Sequence, residues 1–139
     1  MKYSIMTILG AIGSFIAALV GGWDTSFITL FIFMIIDLVT GLIVAFIFHK
    51  SPKTNTGTVS SRVGWKGLAK KCVTISFVVV AKRLDMLMGY NFIRDAVCIA
   101  FISNELLSIV ENAGLMGIPI PKIITNAIDI LKTKEGDFK

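Results

Sequence analysis

Charge is what this chain of 139 residues has least of: only 17% of it is Asp, Glu, Lys or Arg. A soluble domain of this size covers its surface with polar groups, and about a quarter of its residues are normally charged. Hydrophobic residues make up 55% and the mean hydropathy is +0.81, which excludes a disordered chain as firmly as an ordinary soluble one. Cysteine and histidine are nearly absent. Cys72 and Cys98 sit in apolar stretches without metal-ligand spacing, and His49 stands alone where an apolar run meets a basic one. No Gly-rich phosphate loop, Ser/His/Asp set, Cys/His cluster or HExxH motif occurs, so neither an enzyme nor a metal or cofactor site is expected. The net charge of +5 comes from basic residues clustered between apolar runs. Such clusters set membrane orientation, and nucleic acid is not an expected partner.

What the chain does have is long apolar runs. Residues 3–22 carry no charge and match a hydrocarbon core of roughly 30 Å at a helical rise of 1.5 Å. The run is long for a signal peptide and lacks a clear cleavage site, so a retained helix is expected. Gly10, Ser14, Ala17 and Gly21 recur on one face, where small residues let helices approach closely in lipid, although apolar helices are rich in such residues anyway. After a short turn with Trp23 as interfacial anchor, residues 25–48 form a second run whose one charge is Asp37. A carboxylate there costs about 2.5–3.5 kcal/mol on insertion scales. Asp37 must therefore bond a neighbouring helix, or face a pore or assembly contact, and it shares a side with Thr40 and Gly41.

Residues 49–71 change character, with six Lys or Arg and no acid. This reads as a basic cytoplasmic loop, from which a helix starting after Ser61 would carry Arg62, Lys66 and Lys70 on one stripe. The third run is interrupted by Lys82, Arg83 and Asp85, and spans the membrane only as a helix over about 68–90. The fourth, 92–115, carries a polar stripe of Arg94, Glu105, Ser108 and Asn112, widened by Asn104 and Glu111. Folded as a hairpin about Gly89, the third and fourth runs bring Asp85 level with Arg94, and Lys82 and Arg83 near Asp95. Ion pairs among these five would lower the cost of insertion.

Eleven of the fourteen Lys and Arg lie at Lys2, in the 49–71 loop or in the tail. Four spans put all three on one side. The expected fold is an all-α integral membrane protein with four transmembrane helices, N-in and C-in. Residues 1–115 form its transmembrane domain and 116–139 a cytoplasmic basic tail. Within that tail Pro119 and Pro121 end the fourth helix, and residues 123–131 form a short amphipathic segment at the surface.

Three stretches together resemble the toxin-secretion/phage-lysis holin family. They are IDLVTG (Ile36–Gly41), the pattern Ser60, Ser61, Gly67, Lys70, Lys71, and NELLSIVENAGLMGIPIPK (Asn104–Lys122). The resemblance covers about residues 30–131. It implies a small protein of the bacterial cytoplasmic membrane that gathers with copies of itself into large pores. Through these an endolysin, or in some relatives a large toxin, leaves the cell. It also implies that Asp37, Gly41, Asn104, Glu105, Ser108, Glu111 and Asn112 are signature positions. With Arg94, they are the candidates for lining the pore or holding the assembly. The polar stripe alone allows a second reading, in which it only holds one bundle together. A small ion or proton channel without protein export is the alternative function.

Overall fold

A computed structural model describes residues 1–137, and residues 138 and 139 of the expected tail lie outside the described residues. The chain is helical throughout, with no strand among the described residues. Its helices are α1 (Lys2–Val20), α2 (Thr25–Ile43), α3 (Ser61–Met88), α4 (Ile93–Leu115) and α5 (Lys122–Asp137), and α2 runs on through a π-helical turn, Val44–Phe48. Two of these are long and apolar enough to cross a membrane, α1 and the continuous Thr25–Phe48 helix.

Local chemistry sets the boundaries. α1 ends at Gly21, whose φ of 90° suits glycine. A Cβ there would also stand 2.9 Å from the Lys82 side chain. Asp24 then caps α2, its carboxylate accepting the Phe27 N–H at 3.0 Å. The π turn closes with the Lys50 N–H on the Val44 carbonyl. α3 begins at Ser61, so the expected amphipathic segment and the expected third span are one helix of 28 residues, about 42 Å long at 1.5 Å per residue. The basic connection is correspondingly shorter than 49–71. Gly89, with φ 72°, ends α3.

The apolar core joins the end of α1 to α2, α3 and α4 through Val20, Phe27, Leu30, Met34, Val78, Cys98 and Ile102. α4 packs against α2, α3 and α5, and Asn104, Glu111 and Gly114 are its exposed positions. α5 runs along α4 at the surface, burying Ile128 and packing Leu131 against the core while Ile123, Ile124 and Ile130 stay exposed. The two prolines and Gly117 (φ 76°) turn the chain back rather than out. Most of α1 stays uncovered. Gly10 and Ser14 are exposed, Ala17 is half-buried, and Gly21 forms the turn, so the small-residue face is largely unused inside the chain.

Large apolar side chains cover the outside, among them Phe31, Ile35, Val39 and Phe46 on the α2 rod and Val73, Phe77 and Val80 on α3. Soluble monomers rarely expose continuous apolar patches beyond a few hundred Å². This surface suits lipid.

The α3–α4 hairpin has the expected register but a different chemistry. Asp85 accepts the backbone N–H groups of Ile93 (3.0 Å) and Arg94 (2.9 Å), and so caps α4 from the preceding helix. Asp85→Ala is expected to cost about 0.5–2 kcal/mol, the usual worth of such a cap. Thermal unfolding in detergent micelles would show a lowered midpoint, while Asp85→Asn, which keeps an acceptor oxygen, recovers part of it.

Candidate functional site: an ionic knot inside the bundle

Spacing on three helices builds the site. On α2, Asp37, Thr40 and Gly41 share a face at i, i+3 and i+4, and on α4, Glu105, Ser108 and Asn112 do so at i, i+3 and i+7. α2 and α4 bring these faces together, and α3 inserts Lys71 between them. The Lys71 ammonium lies 2.8 Å from Asp37 Oδ2 and 2.6 Å from Glu105 Oε2. Ser108 donates its hydroxyl to Asp37 Oδ1 at 2.5 Å. The Asn112 amide donates to the same oxygen at 3.2 Å and to Thr40 Oγ1 at 2.9 Å. Gly41 lies beside this amide, where an added Cβ would stand 3.8 Å from Asn112 Nδ2, an ordinary contact distance. Among the described residues no buried side-chain N or O lacks a hydrogen-bond partner.

A second polar cluster closes the end of the bundle where α1 meets α2 and α3 meets α4. The buried Arg94 guanidinium donates to the Val20 carbonyl (2.8 Å), the Gly22 carbonyl (3.3 Å), Asp24 (2.5 Å) and Asp95 (3.1 Å). One side chain thus bonds the last carbonyl of α1 and one in the turn after it, and ties the first hairpin to the second. Burial pushes the Asp24 carboxyl upward, but hydrogen bonds from Arg94 and the Phe27 N–H, with the Arg94 charge, outweigh it and hold the group below its usual value. Along α4, eleven residues separate Arg94 from Glu105, or about 16 Å of helix.

Most of the expected site residues meet, though not always as expected. Asp37, Gly41, Glu105, Ser108 and Asn112 come together at the knot, while Asn104 and Glu111 face outward and are exposed. Of the five residues expected to pair at the hairpin, only Arg94 and Asp95 form an ion pair with each other. Asp85 meets backbone N–H groups rather than the guanidinium. Lys82 lies against the Gly21 turn, Arg83 is exposed, and Arg94, next in sequence, takes up Asp95. Lys71 was not among the expected site residues, because its charge counts toward the basic loop. A signal existed: Lys71, Val78 and Asp85 recur at intervals of seven, hence on one helix face, and Val78 and Asp85 are both buried.

Residues 14–133 match the bacteriophage holin family, nearly the whole length over which the bundle and both polar clusters are built. The chain belongs to that family. Among similar proteins, the probable holin of Bacillus phage phi105 is 33% identical over 100 residues, covering 71% of this chain and 68% of that protein. An uncharacterized protein of Listeria innocua is 35% identical, over 90% of this chain and 84% of its own length. One from Clostridium perfringens is 31% identical, over 90% and 88%. No solved structure matches. Within this holin-family chain, the knot holds two carboxylates against one ammonium.

Removing one partner from such a buried set typically costs about 3–5 kcal/mol, because the remaining charges are stranded. Lys71→Met should therefore destabilise the bundle by that order in denaturant titrations in micelles. Adding Asp37→Asn and Glu105→Gln should recover much of the loss, as a charge-balanced set does and an unrelated packing defect does not.

Proposed function

We propose that this chain is a holin. It inserts in the bacterial cytoplasmic membrane, gathers with other copies of itself, and opens pores large enough to release an endolysin, causing host cell lysis, or a large toxin. Family membership supports this reading. The observation that carries it is the pairing of buried Asp37 with half-buried Lys71 and Glu105 between helices whose outer faces carry large exposed apolar side chains. Four spans, at about 3–22, 25–48, 68–90 and 92–115, give N-in and C-in and leave Trp23 and Gly89 outside. Two spans insert on apolar length alone. The other two insert as a hairpin, with their charges neutralised by the knot and by the cap at Asp85.

Each copy alone keeps Asp37, Lys71, Glu105, Ser108 and Asn112 paired with one another. When copies crowd, the small residues Gly10 and Ser14, exposed along α1 above the half-buried Ala17, offer a surface for close helix packing. The polar positions of α4, with Asn104 and Glu111 already outward, then turn to a shared aqueous opening. Water replaces the in-chain partners of Glu105, Ser108 and Asn112, which offsets the cost of opening the knot. No catalytic step is involved.

Induced expression in a bacterium that contains a soluble cytosolic reporter enzyme tests the reading. The expected result is loss of membrane potential together with reporter outside the membrane. Loss of potential with the reporter retained would instead indicate a small ion or proton channel, and no change in permeability would contradict pore formation altogether.

A further inference from the structure

A cleft of about 80 Å³ runs between α2, the 49–60 segment and the first half of α3. Its walls are low because three glycines, Gly41, Gly64 and Gly67, line them. At Gly64 and Gly67 an added Cβ would meet nothing within 4 Å, and at Gly41 only the Asn112 amide at 3.8 Å. The cleft's lining runs from Ser51, Thr58 and Ser60 in the connecting segment to Asp37, halfway along the apolar α2 rod, and Asn112. Asp37 and Asn112 bond to each other across α2 and α4 in the knot. The Arg94 cluster occupies the opposite end of the bundle, where Arg94 bonds the Val20 carbonyl and Asp24.

We propose that this cleft is a water-filled entrance that connects the aqueous phase on the side of the 49–60 segment, and that side only, to the Asp37 carboxylate. A cavity needs roughly 10–15 Å³ per water molecule together with polar partners, and this one has space for several, with a carboxylate and an amide in its lining. The charge balance of the knot points the same way. Two carboxyl groups share one ammonium between apolar helices, and water reaching Asp37 lowers the cost of holding it there. Water-borne protons from one compartment thereby reach the contact that joins α2, α3 and α4. The inference rests on the membrane reading above.

Paired cysteines at equal depth test it, in a Cys72→Ala chain, with Cys98 fully buried as an unreactive reference. Gly41→Cys faces the cleft and Val39→Cys faces outward, where Val39 is exposed among apolar residues. Gly67→Cys and Leu68→Cys form the same pair on the opposite wall, independent of any misfolding of the first. The probe is a membrane-impermeant quaternary-ammonium methanethiosulfonate, applied to inside-out and right-side-out vesicles in turn. Hydrated thiols ionise and react, whereas those in apolar surroundings do not. The cleft cysteines should react at least about tenfold faster than their outward partners, and only from the side of the 49–60 segment. Cleft cysteines no faster than partners that stay unreactive would overturn the entrance. Outward cysteines that react rapidly from both sides would overturn the membrane reading itself.

Discussion

A hydrophilic group placed halfway along an apolar helix has to find its partner within the molecule, and the arrangement of α2, α3 and α4 follows from that requirement. Asp37 is too far from the end of its helix to reach water along it, and its neighbours on the same helix are apolar apart from Thr40. Its partners are therefore Lys71 from α3 and Ser108 and Asn112 from α4. Because Lys71 is shared with Glu105, sliding any one of the three helices by a turn would strand a charge. Apolar packing alone tolerates such slips, since one leucine-like contact replaces another at little cost. The knot supplies register where the apolar core supplies cohesion.

The Arg94 cluster does a different task at the other level. It lies at a helix junction and bonds mainly to groups that helix ends leave unsatisfied: the Val20 and Gly22 carbonyls and the Asp24 carboxylate, which also caps α2. Asp85 satisfies the reciprocal need at the start of α4. One end of the bundle is thus closed by groups with few alternatives, while the other carries the glycine-lined cleft. On the proposed holin reading, the closed end would hold each copy together and the knot would be the contact that water opens.

Much of this was legible in the sequence. The α2 rod was read with its observed limits, and the hairpin between α3 and α4 was placed at the right turn. The stripe Glu105, Ser108, Asn112 was found from spacing alone, because 3.6-residue periodicity survives whatever a helix packs against. Three features were not legible. Lys71 falls to the basic loop in the sequence although the helix start near Ser61 is read there, because the run of basic residues hides that Lys71 shares the face of Val78 and Asp85. Asp85 was matched to the nearest cation, whereas an unpaired helix N-terminus two residues past the turn competes for the same oxygens. The return of α5 along α4 depends on how the Gly117–Pro121 turn aims the chain, which periodicity does not encode.

The central claim is that a single ammonium joins two carboxylates at the heart of the bundle. Solid-state NMR in lipid bilayers measures this directly, through dipolar recoupling between 15Nζ-labelled lysine and side-chain 13C-labelled aspartate and glutamate. Lysine assignment comes from a Lys71→Gln sample. With N···O separations of 2.8 and 2.6 Å, one lysine signal should dephase strongly against both carboxyl carbons and vanish in the Lys71→Gln sample. A Lys71 signal with no dephasing from either carboxyl would contradict the account.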